Sequence, residues 1–149
     1  MPEQSQSDVR GVGFHGFDHQ EYLNVMDQHG IDVGVLSNTG GRIEQGGDRR
    51  KALELCTIIN DAFAEAHAKH PRRFKAFARL PMVNLDDCVR ELERCYRDRN
   101  MHGVILSTNL AGRYLDEPEF KPFWDALAAG GKPLFLHPCN APCHSNWDA

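Results

Sequence analysis

The sequence has no run of apolar residues that approaches the roughly 20 residues a membrane-spanning helix requires. It also has no excess of basic residues, because 17 Lys and Arg stand against 21 Asp and Glu, for a net charge of −4. A nucleic-acid-binding protein would be expected to carry a basic face. The polar, acidic first eight residues are unlike a signal or transit peptide. We therefore expect a cytoplasmic protein whose main partner is neither a membrane nor nucleic acid.

The sequence also lacks the cysteine pattern of a disulfide-stabilised protein. It has five cysteines, an odd number, and Cys56, Cys88 and Cys95 fall on apolar faces of predicted helices. This placement is typical of small core residues in a reducing compartment.

The C-terminal tail contains Cys139, Cys143 and His144, which are residue types that bind zinc. A small zinc knot is one interpretation of this tail. However, no second cysteine pair follows, and a four-ligand knot that included His137 would be strained over so few residues. A surface loop is the interpretation we favour.

Length and composition indicate one globular domain. A chain of 149 residues can bury one core, and 41% apolar and 26% charged residues are ordinary for such a domain. Residues 1–16 are polar and glycine-containing, so we expect a flexible lead-in there. The domain is expected to occupy residues 17–149.

Helical and strand patterns alternate four times along the chain. Four short, mostly apolar segments predict strands at residues 33–37, 74–80, 104–107 and 134–137. Each follows a predicted amphipathic helix, and these helices run from Asp18 to Gly30, from about Asp48 to His70, from Asp86-Asp87 onward and from Pro118 onward. The last two strands begin 30 residues apart, the length of one strand-plus-crossover unit. The pattern predicts four parallel strands in sequential order, covered by helices.

Four such units make about half of a closed α/β barrel, since an eight-unit barrel needs roughly 200 residues or more. The predicted fold class is therefore α/β, an incomplete TIM-type (β/α) barrel of about four α-β units. The strands at 33–37 and 134–137 would each have an unpaired edge, and such edges favour pairing with another chain. We therefore expect a homo-oligomer.

His137 is the first candidate for chemistry because it closes the last predicted strand. The carboxyl ends of the strands carry the active site in barrels of this type. An imidazole there can ligate a divalent metal if its other nitrogen is held by a hydrogen bond, although a simple buried histidine fits the position equally well. We expect His137 on the same side as the loops at 37–41, 82–85 and 107–112.

Arg79, near the end of the second strand, could bind an anion or pair with a carboxylate.

Short motifs follow one another in order between Phe17 and Pro138. They are residues 26–32, Asn60-Asp61, residues 70–74, Leu80-Pro81, residues 91–95, residues 102–104, residues 112–116, Phe120, and His137-Pro138 after an apolar strand. In order and spacing they resemble strands two to five of the barrel of the amidohydrolase-related family. Within that family the sequence is most similar to the aminocarboxymuconate-semialdehyde and resorcylate decarboxylase branch.

The resemblance implies a divalent metal, usually zinc, at the barrel mouth. In the family the ligands are a His-x-His pair on strand one, a histidine on strand five and an aspartate on strand eight. A histidine on strand six works with the metal-bound water as acid or base. Only the strand-five ligand is present here, as His137, and the sequence has no His-x-His pair. The family also uses an arginine ahead of the first helix to hold a substrate carboxylate, and Arg10 is the candidate, with a solvated tail residue as the alternative.

Two functions are consistent with these features. The first is a metal-dependent carboxy-lyase or hydrolase that acts on a small unsaturated or aromatic carboxylate, with the isolated chain inactive. The second is a non-catalytic, truncated half-barrel that pairs with another chain. Metal content distinguishes them, because the enzyme must hold stoichiometric metal and the half-barrel need not.

Overall fold

The computed structural model describes residues 18–39, 47–110 and 113–138. Four helices alternate there with four strands of one sheet: α1 (His19–Gln28), β1 (Gly34–Leu36), α2 (Arg49–Lys69), β2 (Phe74–Arg79), α3 (Leu85–Asp98), β3 (Gly103–Ser107), α4 (Lys121–Gly130) and β6 (Leu134–His137). Between β3 and α4 lie a short antiparallel pair, β4 (Asn109–Leu110) with β5 (Arg113–Tyr114), and a 3-10 turn at Pro118–Phe120.

The main sheet has the order β1-β2-β3-β6, and every neighbouring pair in it is parallel. Each strand follows its own helix, so the chain is built from four consecutive helix–strand units. The predicted strand order, direction and incomplete-barrel fold are confirmed. Within the described residues β1 pairs only with β2 and β6 only with β3, which leaves these two strands at the edges of the sheet.

The two faces of the sheet differ because side chains alternate along each strand. On one face, Phe74, Ala76 and Ala78 of β2 join the helices in a single apolar core. The opposite face, which we call the inner face, carries Val35, Lys75, Phe77, Arg79, Ile105, Ser107, Phe135 and His137, as the strand registers place them. The inner face corresponds to the inside of a barrel that four strands only half enclose.

The first two helices begin where their carboxylates predict. The Asp18 side chain accepts a 2.7 Å hydrogen bond from the Gln20 backbone N–H, and Asp48 accepts one of 3.0 Å from Lys51. These bonds satisfy backbone donors that have no partner inside the helix. The predicted starts of α1 and α2 are therefore confirmed.

The third and fourth helices begin slightly differently from the prediction. Asn84 caps α3 by accepting a 3.1 Å hydrogen bond from the Asp87 N–H, so Asp86 and Asp87 lie in the first turn rather than at the start. Pro118 opens a 3-10 turn, and the α-helix itself begins at Lys121. In both cases the predicted signal lies within one turn of the observed start, since carboxylates and proline are favoured throughout a first turn.

The cysteines Cys56, Cys88 and Cys95 are fully buried and form no disulfide with one another, as the sequence predicts for core residues. Burial raises the pKa of the Cys88 and Cys95 thiols well above the ordinary value, so both stay protonated. None of the described helices is both long and apolar enough to cross a bilayer.

Several predictions fall on residues outside the described ranges. They are the lead-in at 1–16, the domain start at residue 17, Arg10, and the tail with Cys139, Cys143 and His144. These stay predictions.

Candidate functional site

His137 is the last residue of β6 and lies at the carboxyl edge of the sheet. Its backbone is in register with Ser107, the last residue of β3, and its carbonyl accepts a 3.1 Å hydrogen bond from Thr108 N–H. The exposed imidazole lies on the inner face, where its ring meets the Phe135 ring edge-on at 6.2 Å between centroids. The side chain therefore points towards the inside of the half-barrel and not towards the helices.

The hydrogen bond of the His137 ring determines which nitrogen could bind a metal. Nδ1 lies 2.9 Å from the carbonyl oxygen of Pro138. Because a carbonyl can only accept, Nδ1 carries the proton, and a neutral ring then has its lone pair on Nε2. In the described part of the chain Nε2 has no hydrogen-bond partner. An imidazole with one nitrogen held by a carbonyl and the other free is the arrangement of a typical metal ligand.

The described residues supply one ligand of this kind and not a full set. Among residues 18–39, 47–110 and 113–138, no three His, Cys, Asp or Glu side chains lie close enough to hold a metal ion together. A catalytic zinc normally has three protein ligands and one open position. The site at His137 fits a metal only if further ligands come from outside these residues.

Arg79 is the second residue of interest at this edge, and it ends β2. It lies on the inner face, as Ala78 before it faces the helices, and only 2% of its surface is exposed. Its backbone is held by the buried side chain of Asn60 on α2. Asn60 Oδ1 accepts a 2.8 Å hydrogen bond from Arg79 N–H, and Asn60 Nδ2 donates one of 2.8 Å to the Arg79 carbonyl.

The Asn60 carboxamide takes the place of a strand neighbour, since β1 ends at Leu36, opposite Ala76. Asn60 Nδ2 also donates a 2.7 Å hydrogen bond to Glu91 Oε1 on α3. Glu91 in turn accepts two hydrogen bonds of 2.7 Å from Arg94. This buried network fastens the end of β2 to two helices and makes the carboxyl edge rigid.

The network reaches the surface at Asp61, which accepts hydrogen bonds of 2.7 Å from both Arg94 and Arg99. Burial, which would raise the pKa of Asp61, is outweighed by the hydrogen bonds from Arg99 and Arg94, so that pKa is lowered. Asn60 and Glu91 entered the sequence analysis only as motif residues. Asn60 directly follows the buried Ile59, and a polar residue at such a position indicates a buried network. The sequence does not show that its partner is Glu91, 31 positions away.

Other histidines cluster at the opposite, amino-terminal end of the sheet. The rings of His67 and His102 lie 4.5 Å apart. Both nitrogens of His67 are engaged, since Nδ1 donates to the Phe74 carbonyl at 2.7 Å and Nε2 accepts from Asn100 at 3.4 Å. Burial lowers the pKa of His102, and the nearby His67 lowers it further. We interpret this pair as structural, because His67 has no lone pair left for a metal.

Comparison with known proteins agrees with this arrangement. The profile of the family described as Amidohydrolase matches residues 12–147, which is most of the chain. The chain belongs to the amidohydrolase family.

Several curated members of the family are similar in sequence. A gamma-resorcylate decarboxylase of Rhizobium sp. (strain MTP-10005) is 37% identical over 124 residues, which cover 79% of this chain and 38% of that protein. A 2-amino-3-carboxymuconate-6-semialdehyde decarboxylase of Dictyostelium discoideum is 26% identical over 129 residues, covering 87% and 36%. The chain therefore spans less than half the length of these relatives.

Solved structures show the same partial match. A 2,6-dihydroxybenzoate decarboxylase complexed with 2,6-dihydroxybenzoate has a TM-score of 0.79 and 31% identity, covering 99% of this chain and 47% of that one. A 5-carboxyvanillate decarboxylase of Novosphingobium aromaticivorans, complexed with manganese and 4-hydroxy-3-methoxy-5-nitrobenzoic acid, has a TM-score of 0.78 and 32% identity, covering 85% and 36%. The chain thus corresponds to about half of a TIM-barrel amidohydrolase, as the four-stranded sheet predicts.

Proposed function

We propose that this chain forms one half of the barrel of a metal-dependent decarboxylase that acts on a small aromatic carboxylate. The observation that carries the proposal is His137, whose free Nε2 lies on the inner face at the carboxyl edge of the sheet. The similarity to resorcylate and carboxyvanillate decarboxylases supports the reaction class. An unsaturated carboxylate is the other substrate class, and hydrolysis the other reaction, that the sequence resemblance allows.

In this proposal His137 is one ligand of a divalent metal. Zinc is the metal that the sequence resemblance implies, and manganese is the metal in three related structures of the decarboxylase group. When bound, such a metal lowers the pKa of its water and polarises the substrate carboxylate. The chain's own part is to present the Nε2 lone pair of His137 and to keep the neighbouring strand ends fixed through Asn60 and Glu91.

The same proposal includes a substrate-binding role for Arg10. It also includes a cytoplasmic location and a homo-oligomeric state. An arginine near the substrate would form charge-assisted hydrogen bonds with its carboxylate. Arg79 is a second cation at the edge, and its predicted role in binding an anion is equally open to test.

The non-catalytic half-barrel is the second candidate function. The incomplete ligand set favours it, because the described residues bring no three potential ligands together around a metal ion. Because the described residues bring no full ligand set together, metal content distinguishes the two functions once the missing ligands are supplied.

A chimaera supplies them. Residues 18–138 of this chain would replace the aligned segment of the Rhizobium gamma-resorcylate decarboxylase, and carbon dioxide release from 2,6-dihydroxybenzoate would be measured. We expect turnover in the chimaera and its loss on His137→Ala, because a metal ligand is removed.

The matched control is His29→Ala, which removes an exposed histidine just beyond α1, far from the carboxyl edge. It should leave turnover close to that of the unmodified chimaera. A folded chimaera that is inactive although it holds stoichiometric metal would favour the non-catalytic function. Equal activity of the His137→Ala and His29→Ala chimaeras would show that His137 has no catalytic part.

A further inference from the structure

We propose that Tyr114 forms an aromatic wall of the substrate pocket, against which the ring of an aromatic carboxylate stacks. This assignment rests on the proposed function, since it names a residue that contacts the substrate of that reaction. Tyr114 lies in β5, the second strand of the short hairpin that follows β3, and it is 49% exposed. Its place beside the candidate metal ligand, its direction and its rigid support carry the proposal.

The hairpin starts at the candidate site. Its first strand, β4, begins two positions after Ser107, whose backbone is in register with His137. The residue between them, Thr108, donates its backbone N–H to the His137 carbonyl at 3.1 Å. The start of the hairpin is therefore fixed to the end of the strand that carries the candidate metal ligand.

The pairing within the hairpin determines which way Tyr114 points. Asn109 lies opposite Tyr114, and Leu110 lies opposite Arg113. Residues directly opposite each other in an antiparallel pair have their side chains on one face. Leu110 is buried in the core beneath the helices, and the Arg113 guanidinium lies 5.3 Å from the centroid of the Phe120 ring in that core. The other face of the hairpin, with Tyr114, is therefore turned towards the side on which the inner face of the sheet lies.

Several contacts hold the backbone around Tyr114 in place. Its N–H donates a 3.0 Å hydrogen bond to Glu117 Oε1, and its carbonyl accepts one of 3.3 Å from the Glu117 N–H. Arg113 donates a 2.6 Å hydrogen bond to Glu117 Oε2. Leu115, the next residue, is buried, and its carbonyl accepts a 2.7 Å hydrogen bond from Trp124 Nε1. A ring on such a support loses little conformational entropy when a ligand binds against it.

A rigidly supported aromatic ring at this place suits a small aromatic ligand. Small-molecule sites are lined mostly by apolar and aromatic side chains with a few polar groups, and Ser107 and His137 are polar groups on the inner face. Two aromatic rings attract each other beyond their hydrophobic contact, in offset or edge-on arrangements. With the carboxylate of the substrate directed towards His137, its ring would lie against Tyr114. The wall would therefore favour aromatic over saturated carboxylates.

Ligand binding to the chimaera with the Rhizobium decarboxylase tests this role without depending on turnover, because residues 18–138 include the whole hairpin. Benzoate and cyclohexanecarboxylate share a carboxylate and a six-membered ring, and only benzoate is aromatic. Their dissociation constants would be measured by isothermal titration calorimetry. We expect Tyr114→Ala to reduce the preference for benzoate about 2- to 12-fold, the range of one aromatic pair. Tyr114→Phe should retain the preference, because it keeps the ring.

The matched control is Tyr22→Ala, which removes a tyrosine that is 51% exposed on α1. The first residue of that helix, His19, lies against Phe74 at the amino-terminal start of β2, with 6.2 Å between the ring centroids. We expect Tyr22→Ala to leave the preference for benzoate unchanged. An unchanged preference in Tyr114→Ala, or a loss just as large in Tyr22→Ala, would overturn the assigned role.

Turnover of 2,6-dihydroxybenzoate separates this role from the proposed function. We expect Tyr114→Ala to raise KM and to change kcat less than about twofold, because the ring contacts the substrate equally in the ground state and the transition state. A chimaera that turns over with the same KM in Tyr114→Ala would overturn the role of Tyr114 and leave the proposed function standing. A chimaera that loses its preference for benzoate in Tyr114→Ala but releases no carbon dioxide would support the role and contradict the proposed function.

Discussion

Asn60 is the residue whose replacement tests the described packing most severely. Its side chain is fully buried and makes three hydrogen bonds, two with the backbone of Arg79 and one with Glu91. Asn60→Leu keeps the approximate volume and removes all three bonds. It takes away the hydrogen-bond partner that the Asn60 side chain provides for the buried N–H and carbonyl of Arg79.

An unsatisfied buried group costs about 1–3 kcal/mol, so the two backbone groups of Arg79 together cost about 2–6 kcal/mol. A domain of this size is stable by only about 5–15 kcal/mol. We therefore expect Asn60→Leu to reduce the free energy of unfolding by a large fraction, measured by urea unfolding with circular dichroism. Protein concentration has to be held constant, because self-association adds to apparent stability.

The control for this measurement is Asn24→Leu, which replaces an exposed asparagine on α1. Surface substitutions of this kind usually change stability by less than about 0.5 kcal/mol. A decrease of less than about 1 kcal/mol for Asn60→Leu would refute the reasoning, since it would mean that the network at the end of β2 contributes little.

The remaining predictions concern packing, pH and metal. Gly103→Ala should destabilise the protein by about 1–3 kcal/mol, because its Cβ would lie 2.6 Å from the Pro133 carbonyl oxygen. Gly34→Ala should cost less, because its Cβ would meet the flexible Met26 side chain at 3.4 Å and the Phe74 ring at 3.7 Å, which are ordinary contacts. Equal urea midpoints for the two variants would contradict this. Burial, with His67 and then Lys75 and Lys132 nearby, lowers the pKa of folded His102 below its ordinary 6.5, so its contribution to stability is present above pH 6.5 and is lost as the pH falls through the lowered value. The free energy of unfolding should therefore depend less on pH below 6.5 in His102→Gln, and an unchanged slope would be evidence against this role. The isolated 149-residue protein should bind zinc weakly and show no decarboxylase turnover, and stoichiometric zinc that survives dialysis in a monomer would contradict the account.

The sequence was sufficient to predict the sheet because two signals agree along most of the chain. The hydrophobic periodicity marks the helices and strands, and the capping residues, glycines and prolines mark where they begin and end. The strand at 134–137 has the predicted bounds, and β2 is one residue shorter than predicted, because it ends at Arg79 rather than at Leu80. The short β4–β5 pair was not predicted. Strands of two residues carry too little alternation for a pattern to indicate them.

The candidate site was predicted only in part. The position of His137 follows from strand order, because every parallel strand ends at the same edge of the sheet. Its tautomer does not follow from sequence, since it depends on the orientation of the Pro138 carbonyl. The Asn60–Glu91 contact joins residues 31 positions apart on two consecutive helices, and helical periodicity contains no information on which buried polar groups pair across such a distance.

The central claim is that His137 is a metal ligand, and the metal content of the chimaera with the Rhizobium decarboxylase tests it most directly. Elemental analysis after dialysis against metal-free buffer should give close to one zinc or manganese per chain in the chimaera and in its His29→Ala variant. The His137→Ala variant should retain far less, while its circular dichroism spectrum stays unchanged. Stoichiometric metal in a folded His137→Ala chimaera would contradict the claim.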